Sequence, residues 1–206
     1  MSANAEKKAR VMGGPDGERR RFPAVAVFVG AVVLVGIVLA GTLLWGSREI
    51  PGRAAEGGSY RLAPRRYDPA VRVEQADIVP EFRDGRIYVD LATVEEKGIV
   101  RFRIPNKPVR LPNGSDFDYL PVTVYVAPSG RVVAAVSFCE PCSGTTFHIR
   151  GDRLVCNVCG TQWRLEDLKG LNGGCLLFPP DEVDYRVEGG KLILDEQELR
   201  SWQPRI

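Results

Sequence analysis

The sequence is poor in the residues from which active sites are most often assembled. It holds one histidine, His148, and five cysteines among 206 residues. No glycine-rich phosphate loop is present, and no nucleophile stands beside a base, so phosphoryl transfer and triad hydrolysis have nothing to run on. Glu140, Asp152, Glu166 and Asp167 lie near the cysteines in sequence, yet nothing pairs them for acid–base exchange. Charge of one sign is lacking too. The balance of 28 Lys+Arg against 26 Asp+Glu leaves only +2, and no nucleic-acid-binding motif appears, so no nucleic-acid partner is expected. These absences favour a carrier or binding protein over an enzyme that transforms a substrate.

What is there begins with an apolar run. From Ala24 to Trp45, AVAVFVGAVVLVGIVLAGTLLW carries no charge, and at about 1.5 Å per helical residue it spans a hydrocarbon core of about 30 Å. A lone span in lipid must satisfy its own backbone, which leaves helix as the only option. A cleaved signal peptide is the alternative, but its apolar region would be shorter and would end in a small-x-small cleavage site. Lys7, Lys8, Arg10 and Arg19 to Arg21 precede the run, while Arg48, Arg53, Arg61 and Arg65 follow it. This bias predicts a cytoplasmic basic tail (1–23), a transmembrane helix (24–45) and an extracytoplasmic remainder. Ala26/Gly30 and Gly36/Ala40 are small residues four apart, a spacing that can pack one helix on another.

Residues 46–70 are rich in Gly, Pro, Ala and Arg without an apolar period, and read as a flexible linker. From residue 71 to 206 the texture is that of strands. Gly85–Leu91, Gly98–Ile104, Tyr119–Ala127 and Arg131–Phe138 read as strands, the last two joined at Pro128-Ser129-Gly130 as a hairpin. TTFHIR and RLVC form a second hairpin around Gly151-Asp152, and DYRVEGGKLIL a third around Gly189-Gly190. A short closing helix follows from the N-cap Asp195. The fold class expected is therefore a mainly β exported domain built of hairpins, preceded by one transmembrane helix.

Four of the cysteines form two Cys-x-x-Cys pairs, Cys139/Cys142 and Cys156/Cys159, at the ends of adjacent hairpins. Each such turn presents two sulfurs on one side of a tight loop, and two turns face to face offer four thiolates in a tetrahedral arrangement. The spacing marks a metal site between residues 139 and 180 without naming the metal, since zinc, a single iron and iron-sulfur clusters all accept four cysteines. Gly160 leaves room for backbone N–H groups to approach the sulfurs. The fifth cysteine, Cys175, follows Gly173-Gly174 and reads as a ligand, an outer neighbour or a buried thiol. His148 lies within a strand and reads as a packed residue rather than a ligand. Phe138, Phe147 and Trp163 read as core that also shields the site from water. Outside the cytoplasm the pairs could instead form disulfides or exchange thiols, although five is an odd count and neither pair opens a helix in a βαβ unit.

The stretch from Cys139 to Pro180 resembles the FtrD-like family of membrane iron-sulfur proteins. The likeness is carried by CEPC followed by Gly144, by RLVCNVCG at Arg153 to Gly160, and by GGC at Gly173 to Cys175 with Pro179 and Pro180 after it. It implies that the cysteines bind an iron-sulfur cluster, with Cys139, Cys142, Cys156 and Cys159 as metal ligands and Cys175 as a family-pattern cysteine at the cofactor. It also implies a membrane electron carrier serving an iron-transport system, with a membrane redox or permease partner. The family tends to read Gly-Gly-Cys-Asn-Pro, whereas Leu176-Leu177 follows Cys175 here.

RLVCNVCGTQWRLED is similar, more distantly, to the second cluster loop of Rieske proteins, with Cys159 in the place of a histidine ligand. An all-thiolate centre carries more negative charge, so a lower reduction potential is expected than for a histidine-ligated one. A structural zinc site on a membrane tether is the alternative from a different class, and thiol-disulfide exchange is the third.

Overall fold

The apolar stretch from Tyr119 to Phe138 is continuous rather than alternating because the strands it forms are covered on both faces. In the computed structural model, which describes residues 60–206, strands Asp116–Val126 and Val132–Val136 pair antiparallel, with Val122 opposite Val136 and Val126 opposite Val132. Ile99–Arg110 lies on the other side of Asp116–Val126, its register shifted between Pro105 and Val109. Asp181–Glu182 and Ala76–Asp77 complete this five-stranded sheet at its two edges.

Each face of the sheet supports a separate core. On one face Phe102, Val122, Val124 and Val136 pack with Ile87, Val89, Leu192 and Leu194. The latter come from a four-stranded sheet ordered Arg186–Glu188, Lys191–Asp195, Arg86–Asp90, Glu81–Arg83. On the other face Ile99, Tyr125 and Val133 pack with Phe147, Leu154 and Trp163. These last three belong to the sheet that carries the cysteines, ordered Val73–Glu74, Phe147–Arg150, Arg153–Cys156, Gln162–Arg164, Gly170–Asn172. Apolar burial at about 25 cal/mol per Å² drives both contacts, and the cysteine sheet is thereby seated on a rigid support.

All three expected hairpins form. Phe147–Arg150 pairs with Arg153–Cys156 so that Phe147 lies opposite Cys156, and Arg186–Glu188 pairs with Lys191–Asp195. The closing helix is Glu196–Ser201, and the Asp195 side chain accepts hydrogen bonds from the Gln197 and Glu198 N–H groups. One helix was not expected. Leu91–Lys97 continues directly from the strand Arg86–Asp90, capped by Asp90 at the Ala92 N–H and ended by Gly98. Leu91 thus opens a helix rather than ending a strand, and its apolar side chain is buried in either case.

The described end of the expected linker behaves differently from a tether. The Leu62 N–H donates to the Gly130 carbonyl at 2.8 Å, and the buried Tyr67 hydroxyl donates to the Val126 carbonyl at 2.7 Å. Tyr60, Leu62 and Tyr67 supply an apolar face that the Gly and Arg content masks, so residues 60–67 run along the domain. Residues 1–59, which include the expected basic tail, the span Ala24–Trp45 and most of the linker, lie outside the described residues. Among the described residues no helix is long and apolar enough to cross a membrane.

Candidate metal centre

The first cysteine loop leaves the strand Val132–Val136 and turns back at once. The Cys139 N–H donates to the Gly144 carbonyl at 2.7 Å, and the Gly144 N–H returns the bond to the Cys139 carbonyl at 3.3 Å. Between them Glu140–Cys142 makes one 3-10 turn containing Pro141, ended by Ser143 in the left-handed region. This closed loop points both sulfurs the same way. Gly144 is required by space: a Cβ there would lie 2.7 Å from Cys156 Sγ and 3.2 Å from Cys142 Sγ.

The second loop repeats the idea at the end of Arg153–Cys156. The Cys156 N–H donates to the Thr161 carbonyl at 2.9 Å, and the Gly160 N–H to the Cys156 carbonyl at 3.0 Å. The third loop arrives through Gly173-Gly174. The Cys175 N–H donates to Thr161 Oγ1 at 3.2 Å, and the same oxygen accepts from Cys159 Sγ at 3.2 Å. Gly173 has φ 118°, and a Cβ there would strike Thr161 Oγ1 at 2.5 Å, so glycine alone lets this loop close on Thr161.

All five sulfurs gather at this point. Cys139 and Cys159 stand 3.7 Å apart, as do Cys142 and Cys156. The sulfurs of Cys139, Cys142, Cys159 and Cys175 all lie within 4.8 Å of one another. Cys139, Cys156 and Cys175 are buried, Cys142 is half-buried, and Cys159 alone is exposed. Val158 and Leu177, beside Cys159 and two residues after Cys175, are the most exposed apolar residues near the sulfurs.

The sulfurs differ in acidity. A hydrogen bond shared with Cys156, together with burial, pushes the Cys139 thiol well up. Burial raises Cys142 to about 12. The Cys139 thiol as donor, helped by the backbone N–H groups of Cys159 and Val158, outweighs burial and brings Cys156 down to about 5. At Cys159 burial acts upward, but the hydroxyl and N–H of Thr161 and the thiol of Cys142 carry it below its ordinary value. Cys156 is thus the sulfur most poised as a thiolate, and Cys139 and Cys142 would release protons on taking up a metal.

The remaining expected residues fall into supporting positions. His148 is buried and its Nδ1 lies 2.6 Å from Asn157 Oδ1, so it braces the second loop rather than joining the sulfurs. Phe147 and Trp163 meet edge to face beneath the sulfurs' loops, and the Trp163 indole N–H holds the Leu176 carbonyl at 3.2 Å. Phe138 lies in the opposite core, stacked on Trp202. Asp167 pairs with Arg164, which holds its carboxyl down at about 2.

Three contributors carry no motif. Thr161 is fully buried and joins the second loop to the third. Asn113 donates to Ser143 on the first loop from a distant hairpin. The third is Arg205. Its N–H and Nε each donate to Glu140, a fully buried carboxylate, at 2.6 Å, and its Nη2 donates to the Pro179 carbonyl at 2.6 Å. Arg205 therefore ties the first cysteine loop to the segment after Cys175. Only the residue class of Glu140 hinted at this, since a carboxylate inside a cysteine turn needs a cation once buried.

The β domain gathers thiols from three loops at one end of a hairpin sheet, a donor set that could hold a soft metal ion. Residues 107–206 match the family model described as membrane iron-sulfur containing protein FtrD-like. Over that stretch, just under half of its 206 residues, the chain is similar to the FtrD-like family. No curated protein and no solved structure matches the chain.

Proposed function

We propose that the chain is a membrane-anchored electron-transfer protein whose cysteine loops hold an iron-sulfur centre. Cys139, Cys142, Cys156 and Cys159 would hold the metal, with Cys175 beside them. Iron in such a setting supplies a reversible one-electron change, and the protein's part is to bind it, exclude water and set its charge environment. The observation that carries this reading is the convergence of five thiols in a chain similar to a membrane iron-sulfur family, with no acid–base pair or nucleophilic constellation at the site. The exposed edge at Cys159 and Val158 offers the path by which an electron reaches a partner.

In this reading Ala24–Trp45 anchors the chain, the N-terminus is cytoplasmic, and the β domain works outside the cytoplasm. It exchanges electrons with a membrane redox or permease partner of an iron-transport or other membrane redox system. A structural zinc site is the second reading, favoured by the same set of close sulfurs, which suits an ion without redox chemistry equally well.

A potentiometric titration of full-length protein, purified in detergent without oxygen and followed by visible and EPR spectra, separates the two. An iron signal that disappears and returns with potential is expected, at a midpoint below that of histidine-ligated centres. Zinc with no visible band would overturn the electron-carrier reading, and a strongly positive midpoint would count against the all-thiolate argument.

A further inference from the structure

A tetrahedral ion with metal–sulfur bonds of about 2.3 Å separates its sulfurs by about 3.8 Å along each edge. The two close sulfur pairs here, Cys139/Cys159 and Cys142/Cys156, are each 3.7 Å apart. They share no member, and the four sulfurs that all lie within 4.8 Å of one another, a spread one ion can span, are Cys139, Cys142, Cys159 and Cys175. A sulfide-bridged cluster distributes its terminal cysteines over separate irons with inorganic sulfide between, and so holds sulfurs of different irons much further apart. No such separation is present among Cys139, Cys142 and Cys159, whose sulfurs all lie within 4.8 Å of one another and of Cys175.

The surroundings fix this size. Gly144 sits against Cys156 Sγ and Cys142 Sγ so closely that even a methyl group would not fit. Thr161 Oγ1 holds both Cys159 Sγ and the Cys175 N–H, drawing the third loop inward. The first loop is closed by its own paired backbone bonds and by the Glu140–Arg205 pair.

We propose that the centre is mononuclear: one metal ion bound without inorganic sulfide by four of the five sulfurs, with Cys139, Cys142 and Cys159 in the set and either Cys156 or Cys175 as the fourth. This deepens the electron-carrier reading and rests on the same thiolate site. With iron bound, the chain would carry a single electron per site, and its iron and sulfur would all be protein-ligated metal and cysteine.

The test is the metal and acid-labile sulfide content of full-length protein purified in detergent without oxygen, alongside native mass spectrometry of the loaded chain. One metal per chain with no labile sulfide is expected, and for iron the EPR signal of a lone high-spin ferric ion. Two or four irons with matching sulfide would overturn the proposal. One zinc per chain would leave the single-ion site standing while removing the electron-carrier reading, so the two fail separately. If the protein is isolated metal-free, ferrous iron added without sulfide should load one ion per chain; loading that occurs only when sulfide is supplied overturns the proposal. Of Cys156→Ser and Cys175→Ser, one should keep the ion and the other lose it; loss from both or retention in both, with the hairpin fold intact by circular dichroism, would overturn the four-ligand ion.

Discussion

The two Cys-x-x-Cys loops share a spacing and little else. The first, Cys139 to Gly144, has Cys139 buried, its thiols pushed up and its one carboxylate clamped by Arg205. The second, Cys156 to Thr161, ends at the surface, with Cys159 exposed and both its thiols brought down, Cys156 chiefly by the Cys139 thiol and Cys159 chiefly by Thr161. The same spacing thus sits in two different surroundings, although backbone bonds close both loops. The first loop supplies rigidity, and the second supplies acidity and access.

The comparison breaks most decisively at glycine. Gly144→Ala places a Cβ 2.7 Å from Cys156 Sγ. Overpacking of this kind costs about 1–3 kcal/mol, so metal retention against a chelator should fall by about tenfold to a hundredfold. Retention equal to wild type would show that the sulfurs have more room than the first loop allows.

Next in size is the clamp. Removing one partner of a buried pair leaves an uncompensated charge, and Arg205→Ala should destabilise the chain by about 3 kcal/mol in thermal or denaturant unfolding. The Glu140→Gln/Arg205→Ala double variant should recover part of that loss, because no buried carboxylate is left unpaired. Additive losses in the two single variants would mean that the pair is not coupled.

The difference in legibility between the loops has the same origin. The hairpins, their turns and the cysteine spacing are local features, and the pairs 139/142 and 156/159 with their flanking glycines could be read directly. The Asp195 cap could also be read, whereas the equivalent Asp90 cap was hidden because the strand and helix it joins follow without a break. Glu140–Arg205, separated by 65 positions, and Thr161 beneath Cys175 depend on how sheets stack, which no spacing encodes. Residues 60–67 show the same limit. Their Gly- and Arg-rich setting suggests a linker, and only the groove beside Gly130 and Val126 gives Leu62 and Tyr67 somewhere to go.

A smaller effect reads acidity and exposure together. In metal-free protein, alkylation by iodoacetamide should reach Cys159 first, since it is the exposed thiol and its proton leaves below the ordinary thiol range. Because the reactive form is the thiolate, its labelling should persist to lower pH than that of a free cysteine. Cys139 should be slowest, by about tenfold or more, being both buried and raised. Peptide mapping after short exposures checks the order, and faster labelling of Cys139 would reverse the contrast between the loops.

The smallest effect is the counterpart of the first. Gly160 occupies the left-handed region at φ 71°, but a Cβ added there meets nothing within 4 Å. Gly160→Ala should therefore cost only backbone strain, about 1 kcal/mol, seen as a modest fall in unfolding midpoint with metal retention close to wild type. The two alanine variants separate two demands that a motif merges: Gly160 serves the turn, while Gly144 serves the sulfurs. If Gly160→Ala released the metal as readily as Gly144→Ala, the second loop would be as tightly packed around its ligands as the first, and the division between a rigid loop and an accessible one would fail.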